Sequence, residues 1–195
     1  MDFQKAYLQH IKSQFQYYKT LGERAIHQLE PEQLFLAANE DTNSIAAIVK
    51  HLWGNMLSRW TNFLTEDGEK SWRNRDAEFV NDLQSKEEVM EKWNEGWAVF
   101  LGAIDSIRPE QLTATIYIRN EGHSVFDAIN RQLAHYPYHV GQIVYAAKLL
   151  KTGSWDSLSI PRNSSQSYNS AKFAQERRTK HFAEEELKRL ENRSE

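Results

Sequence analysis

Apolar residues recur at intervals of three and four in four separate stretches of this chain of 195 residues, and that period belongs to helices with one buried face. The first stretch covers about residues 3–29 through Tyr7, Leu8, Ile11, Phe15, Tyr18, Leu21, Ala25 and Leu29, and Pro31 ends it. The second follows the capping candidates Thr42 to Ser44 and carries Ile45, Ile48, Val49, Leu52, Met56, Trp60 and Phe63, before Asp67-Gly68 gives a turn signal. Ser85-Lys86-Glu87-Glu88 is a capping-box pattern for the third, whose buried side is Val89, Trp93, Trp97, Phe100, Leu101 and Ile104. Ser124 with Asp127 repeats the capping pattern for the fourth, which runs to Lys151 before Gly153 stops it.

Between the third and fourth helical stretches the alternation Thr-Ala-Thr-Ile-Tyr-Ile-Arg over residues 113–119 suits a short extended piece, ended by Asn120-Glu121-Gly122. The expectation is therefore an all-α fold: a four-helix bundle with one short extended crossover, in which a site would be built from side chains on facing helices. A chain of this length can bury most of its apolar surface around one core. The bundle is expected over residues 1–168, with a polar linker at 163–170. The charged stretch 169–192 is expected as an additional C-terminal helix within the extension 169–195. Its few apolar residues, Phe173, Phe182, Leu187 and Leu190, would pack on the bundle or on a second subunit.

Composition removes several functions. Cysteine is absent, so there is no disulfide framework, thiolate zinc site or cysteine nucleophile, and any metal must be held by nitrogen and oxygen. The 24 basic and 27 acidic side chains are intermixed at a formal net charge of −3, which leaves no long-range attraction for nucleic acid or anionic lipid. The most basic run, Arg177-Arg178-Thr179-Lys180, is answered by Glu176 and by Glu184 to Glu186 and reads as a solvated helix face. No apolar run of about eighteen residues could cross a bilayer, and the N-terminus lacks a signal-type apolar stretch, so a soluble cytoplasmic protein is expected. Phosphate-cradling glycine loops, a serine-hydrolase elbow and dinucleotide fingerprints are missing.

Among seven histidines the informative pair is His135 and His139, since a spacing of four stacks two side chains about 6 Å apart on one helix face. Such a pair suits a shared metal ion, and equally two half-buried, hydrogen-bonded imidazoles. His51 adds a third candidate. It lies on the flank of its helix's apolar stripe, as the pair does on its own, where a groove between helices opens to solvent. Three imidazoles with a fourth position open is the pattern of a catalytic zinc site, and the same set accepts nickel, cobalt or iron. Asn55, Arg131 and Gln142 lie within about one turn of these histidines and could hydrogen-bond around them, or be solvated. His10, His27 and His181 read as solvated imidazoles and His123 as a turn residue. Trp53, Trp60, Trp93 and Trp97 read as core, while Trp72 and Trp155 lie in loops that could roof the groove.

Lys-His-Leu-Trp-Gly-Asn around His51 and Arg-Gln-Leu-Ala-His-Tyr-Pro-Tyr-His-Val-Gly-Gln-Ile-Val-Tyr around His135 and His139 resemble the DinB-like (YfiT-type) superfamily of small four-helix metal-binding proteins. The segment Trp-Asp-Ser-Leu-Ser-Ile-Pro-Arg at 155–162 is similar to an uncharacterised branch of it, and the resemblance extends from the first helix to about Asn169. It implies zinc or nickel on His51, His135 and His139, usually in a homodimer. For some members it also implies transfer of a low-molecular-weight thiol to a small electrophilic substrate, the reactive species being a metal-bound thiolate or water. Alternatives at this stage are a metal-dependent hydrolase and a non-catalytic metal-binding or stress-response dimer, the latter because no aspartate or glutamate lies on the ligand face of the fourth helix between Asn130 and Lys148. A bundle with purely structural histidines is a third. Pro137 departs from the family pattern: it removes one backbone donor and clashes with the carbonyl of Leu133, so a local irregularity is expected, with both imidazoles still on one face.

Overall fold

Serine hydroxyls start three of the four bundle helices. In the computed structural model, which describes residues 3–191, the helices are α1 (Phe3–His27), α2 (Ile45–Trp60), α3 (Lys86–Ser106) and α4 (Val125–Leu150). Ser44, Ser85 and Ser124 accept the backbone N–H groups of Ala47, Glu88 and Asp127 at 3.1, 3.2 and 3.0 Å, each satisfying a donor that the helix itself cannot. At α3 the reciprocal bond is displaced by one residue: the Glu88 carboxylate accepts from the Gln84 N–H at 2.7 Å.

The main contacts join α2 to α3, α1 to α4, α2 to α4 and α1 to α3, so the histidine-bearing helices α2 and α4 are neighbours in a four-helix bundle. Each helix contributes at least one ring to an edge-to-face cluster at the centre. Phe15 and Phe100 have centroids 4.5 Å apart, Trp60 and Phe100 5.0 Å, Phe100 and Tyr136 5.0 Å, and Trp97 and Tyr136 5.8 Å. Trp60, Trp93 and Trp97 are buried, as expected of core residues. Trp93 also explains the glycine facing it, since a Cβ on Gly22 would meet that indole at 2.5 Å. Trp53 is only half-buried; its indole N–H donates to Glu95 at 2.6 Å and Lys92 sits 3.7 Å over its ring.

The crossover is a hairpin rather than a single extended piece. β1 (Thr115–Ile118) pairs antiparallel with β2 (Glu121–Ser124), Ile118 opposite Glu121. The turn is Arg119-Asn120, not Asn120-Glu121-Gly122, and both residues are left-handed with φ of 57° and 61°. Asp67 explains how two residues other than glycine hold that conformation: its carboxylate accepts the N–H groups of Arg119 and Asn120, both at 2.9 Å. His123 lies on β2.

The C-terminal stretch forms two short helices instead of the one expected, α5 (Ser165–Phe173) and α6 (Phe182–Glu191); Asn192 lies outside the described residues. Residues 175–180 offer no apolar side chain to dock, and a short helix without a buried stripe is marginal in water. Cations from the end of α5 and from the gap itself gather instead on Glu185, with Lys172 at 2.7 Å and Arg178 at 3.0 Å. α6 packs on α1, where Ala183 and Leu190 are fully buried with Tyr17. Phe173 stays exposed. Among the described residues no helix is long and apolar enough to cross a membrane.

Candidate metal centre

His51 lies at the middle of α2 and is buried, while His135 and His139 lie one turn apart on α4 and are half-buried. Their Nε2 atoms converge. That of His135 is 3.4 Å from that of His51 and 3.1 Å from that of His139. α4 continues through Pro137, and the two rings on either side of it share one face with centroids 4.7 Å apart.

Each ring is held from behind through Nδ1. Glu78 Oε2 lies 2.9 Å from Nδ1 of His51, Gln132 Oε1 3.3 Å from that of His135, and Gln142 Oε1 2.7 Å from that of His139. Burial pushes the Glu78 carboxyl up, but hydrogen bonds from His51 and Arg73, with the Arg73 charge, outweigh it and hold the group below the usual carboxylate range. Glu78 is therefore an acceptor, and Nδ1 of His51 must donate. With all three Nδ1–H groups donating to oxygen, the three Nε2 lone pairs face one another.

Three lone pairs at such separations repel unless a cation lies among them. Ligand bonds of about 2.0–2.1 Å at tetrahedral or octahedral angles place neighbouring nitrogens about 2.9–3.4 Å apart, which spans both Nε2 separations given above. The ligating atoms of the three side chains all lie within 4.8 Å of one another, so the group could hold a metal ion, and nitrogen donors of this kind suit zinc, nickel, cobalt or iron. The two rings on α4 are also favoured in the neutral form that a metal needs. Burial, followed by the charges of His139 and His51, pushes His135 down from 6.5 to about 3, and burial also lowers His139 against the opposing hydrogen bond from Gln142.

Glu78 comes from a 3-10 turn, Asp76–Phe79, in the loop between α2 and α3. Arg73 grips it with Nε at 2.7 Å and Nη2 at 3.1 Å. Glu69 links Arg59 at 3.1 Å with Arg73 at 3.5 Å, and Ser58 and Arg59 donate to the carbonyl of Gly68 at 2.7 and 2.6 Å, so the loop is fastened to α2 itself. Close approach of the carboxylate needs a glycine on the facing helix: a Cβ on Gly54 would lie 2.8 Å from Cδ of Glu78. Phe79 then stacks on His51, with centroids 5.0 Å apart and planes at 24°.

The residues expected around the ligands divide. Gln142 bonds His139 as described. Asn55 lines the adjoining cavity, but its Oδ1 accepts from the Tyr136 hydroxyl at 3.1 Å rather than from an imidazole. Arg131 lines the cavity as well and acts on His135 through its charge. Sequence reasoning missed Gln132, Glu78, Arg73 and Phe79. Gln132 precedes His135 by three residues just as Gln142 follows His139 by three, so helical spacing had the signal for it. A search for carboxylates along α4 could not find Glu78, which reaches the site from a loop 27 residues after His51.

The cavity beside the triad has a volume of about 430 Å³, and neither Trp72 nor Trp155 lines it. Trp72 points to solvent and Trp155 packs against the bundle core, so Phe79 and arginines flank the histidines instead of tryptophans. Elsewhere, His27 is exposed at the end of α1, and the rings of His10 and His181 contact each other at 4.5 Å, so His181 is not a freely solvated imidazole.

A family model described as "Protein of unknown function (DUF1572)" matches residues 2–164. No curated protein and no solved structure matches the chain.

Proposed function

The chain belongs to the DUF1572 family, and on that premise we propose that it is a divalent-metal-dependent enzyme of DinB-like type, with His51, His135 and His139 holding one ion through Nε2. The observation that carries this reading is the convergence of three Nε2 atoms whose rings are each fixed from behind by an oxygen acceptor. A divalent ion so held, with a coordination position open, supplies Lewis acidity and makes a coordinated thiol or water nucleophilic at neutral pH.

Transfer of a low-molecular-weight thiol to an electrophile is the reaction favoured. Among the described residues the cavity lining contains no carboxylate, and Glu78 is already committed to His51 and Arg73, so none of these side chains at the triad is free to act as a general base. A thiol bound to a metal needs none. The chain's own part is to fix the imidazoles through Glu78, Gln132 and Gln142, and to place the electrophile in the adjoining cavity. The reading includes zinc or nickel as the ion, a cytoplasmic setting and a homodimer. Tyr138, Tyr145 and Leu149 form an exposed stripe on α4, at 62, 68 and 68%, of the kind that a second copy would cover.

The test is to incubate zinc- or nickel-loaded protein with low-molecular-weight thiols and an electrophilic dye. Conjugation above that given by the free ion, lost in His135→Ala, is expected. Turnover without thiol would mean hydrolysis, and metal-dependent stabilisation without any turnover would mean a binding protein.

A further inference from the structure

Arginine dominates the wall of the cavity beside the triad. Five guanidinium groups, those of Arg59, Arg73, Arg75, Arg119 and Arg131, line it together with the histidines. Three are committed to structure: Arg59, Arg73 and Arg119 converge on Glu69 at 3.1, 3.5 and 3.2 Å, and Arg73 also holds Glu78. The other two are not. Arg75 is exposed, its guanidinium 5.4 Å from the ring centroid of Phe79, and Arg131 is exposed; neither side chain has an ion pair or side-chain hydrogen bond among the described residues. Both stand near the triad in sequence and in space. Arg131 precedes His135 by four residues on α4, which stacks their side chains about 6 Å apart, and Arg75 precedes Glu78, the anchor of His51, by three.

This concentration of positive charge opposes metal binding, and the Arg75 and Arg131 side chains make no ion pair or hydrogen bond among the described residues that would account for it. An excess of cations over carboxylates in a concave site serves to attract and orient an anion, and guanidinium forks match carboxylate and phosphate oxygens. We propose that the cavity takes a small organic anion, bearing a carboxylate or phosphate that Arg75 and Arg131 pair, with the rest of the molecule directed at the three histidines. The proposal names the substrate class of the centre described above and rests on that reading for its chemistry, though not for the binding itself.

Binding of succinate and of inorganic phosphate, with neutral succinamide as control, should be measured by calorimetry at low ionic strength on metal-loaded and chelator-treated protein. At least one anion should bind in both forms, succinamide should not, and Arg75→Gln/Arg131→Gln should weaken the anion by about tenfold or more without lowering Tm, since both side chains are exposed. The tighter anion identifies the group recognised. Equal binding by the double variant, or anion affinity no better than that of succinamide, overturns the proposal. Failure of the metal reading would show differently, as protein that takes up no ion yet keeps arginine-dependent anion binding.

Discussion

Nδ1 of His51 and Oε2 of Glu78 lie 2.9 Å apart, both side chains buried, and the carboxylate is gripped on its other side by Arg73. The pair fixes which nitrogen of His51 carries the proton and aims the other at His135. A carboxylate in this position also raises the basicity of a metal-bound imidazole. Glu78→Gln keeps the shape and removes the charge, and should weaken zinc or nickel affinity by about 10–100-fold. Competition with a chelating dye checks this; an unchanged affinity would mean that Glu78 serves only to neutralise Arg73.

Gly54 makes that approach possible. In Gly54→Ala the new methyl group would press on Cδ of Glu78, 2.8 Å away in the present geometry, so the carboxylate must shift from its bonds to His51 and Arg73. A stability loss of about 1–3 kcal/mol is expected, as for other overpacked sites. Urea unfolding measures it, and metal affinity should fall alongside it. A stabilised variant, as an ordinary helix glycine would give on replacement by alanine, would contradict the account.

How much of this was legible in the sequence depends on whether the information was periodic. The serine caps, the apolar stripes and the i,i+4 histidine pair all repeat at the helical period, and they give α1, α3 and α4 to within a few residues; α2 ends at Trp60, short of Phe63 and of the Asp67-Gly68 turn expected to close it. His51 was legible because its place on the flank of a stripe follows from the same period. Glu78, Arg73 and Phe79 were not, because the loop that carries them is shaped by ion pairs with Arg59 and Glu69 rather than by any repeat. The turn at Arg119-Asn120 was misplaced for a similar reason, since Asp67, more than fifty residues earlier, stabilises its left-handed backbone. The split between α5 and α6 follows from where α1 offers a surface for Ala183 and Leu190.

The pH behaviour of the metal-free protein follows from His135. Its folded pKa is pushed down from 6.5 to about 3, so between those values the unfolded chain binds a proton that the folded chain does not. The stability contributed by the neutral His135 is therefore fully present above about pH 6.5 and is lost progressively as pH falls towards 3. His139 shifts in the same direction and adds to the loss. Thermal unfolding of chelator-treated protein across this window should show Tm falling with acidification, more shallowly in His135→Gln. Parallel profiles would show that His135 does not carry the effect.

The central claim is that three imidazoles from two helices share one ion, and metal content measures it most directly. Purified protein, reconstituted with zinc or nickel and desalted, should retain one ion per chain by elemental analysis, while His135→Ala treated identically should retain close to none. Near-zero metal in both proteins, or equal metal in both, would contradict it.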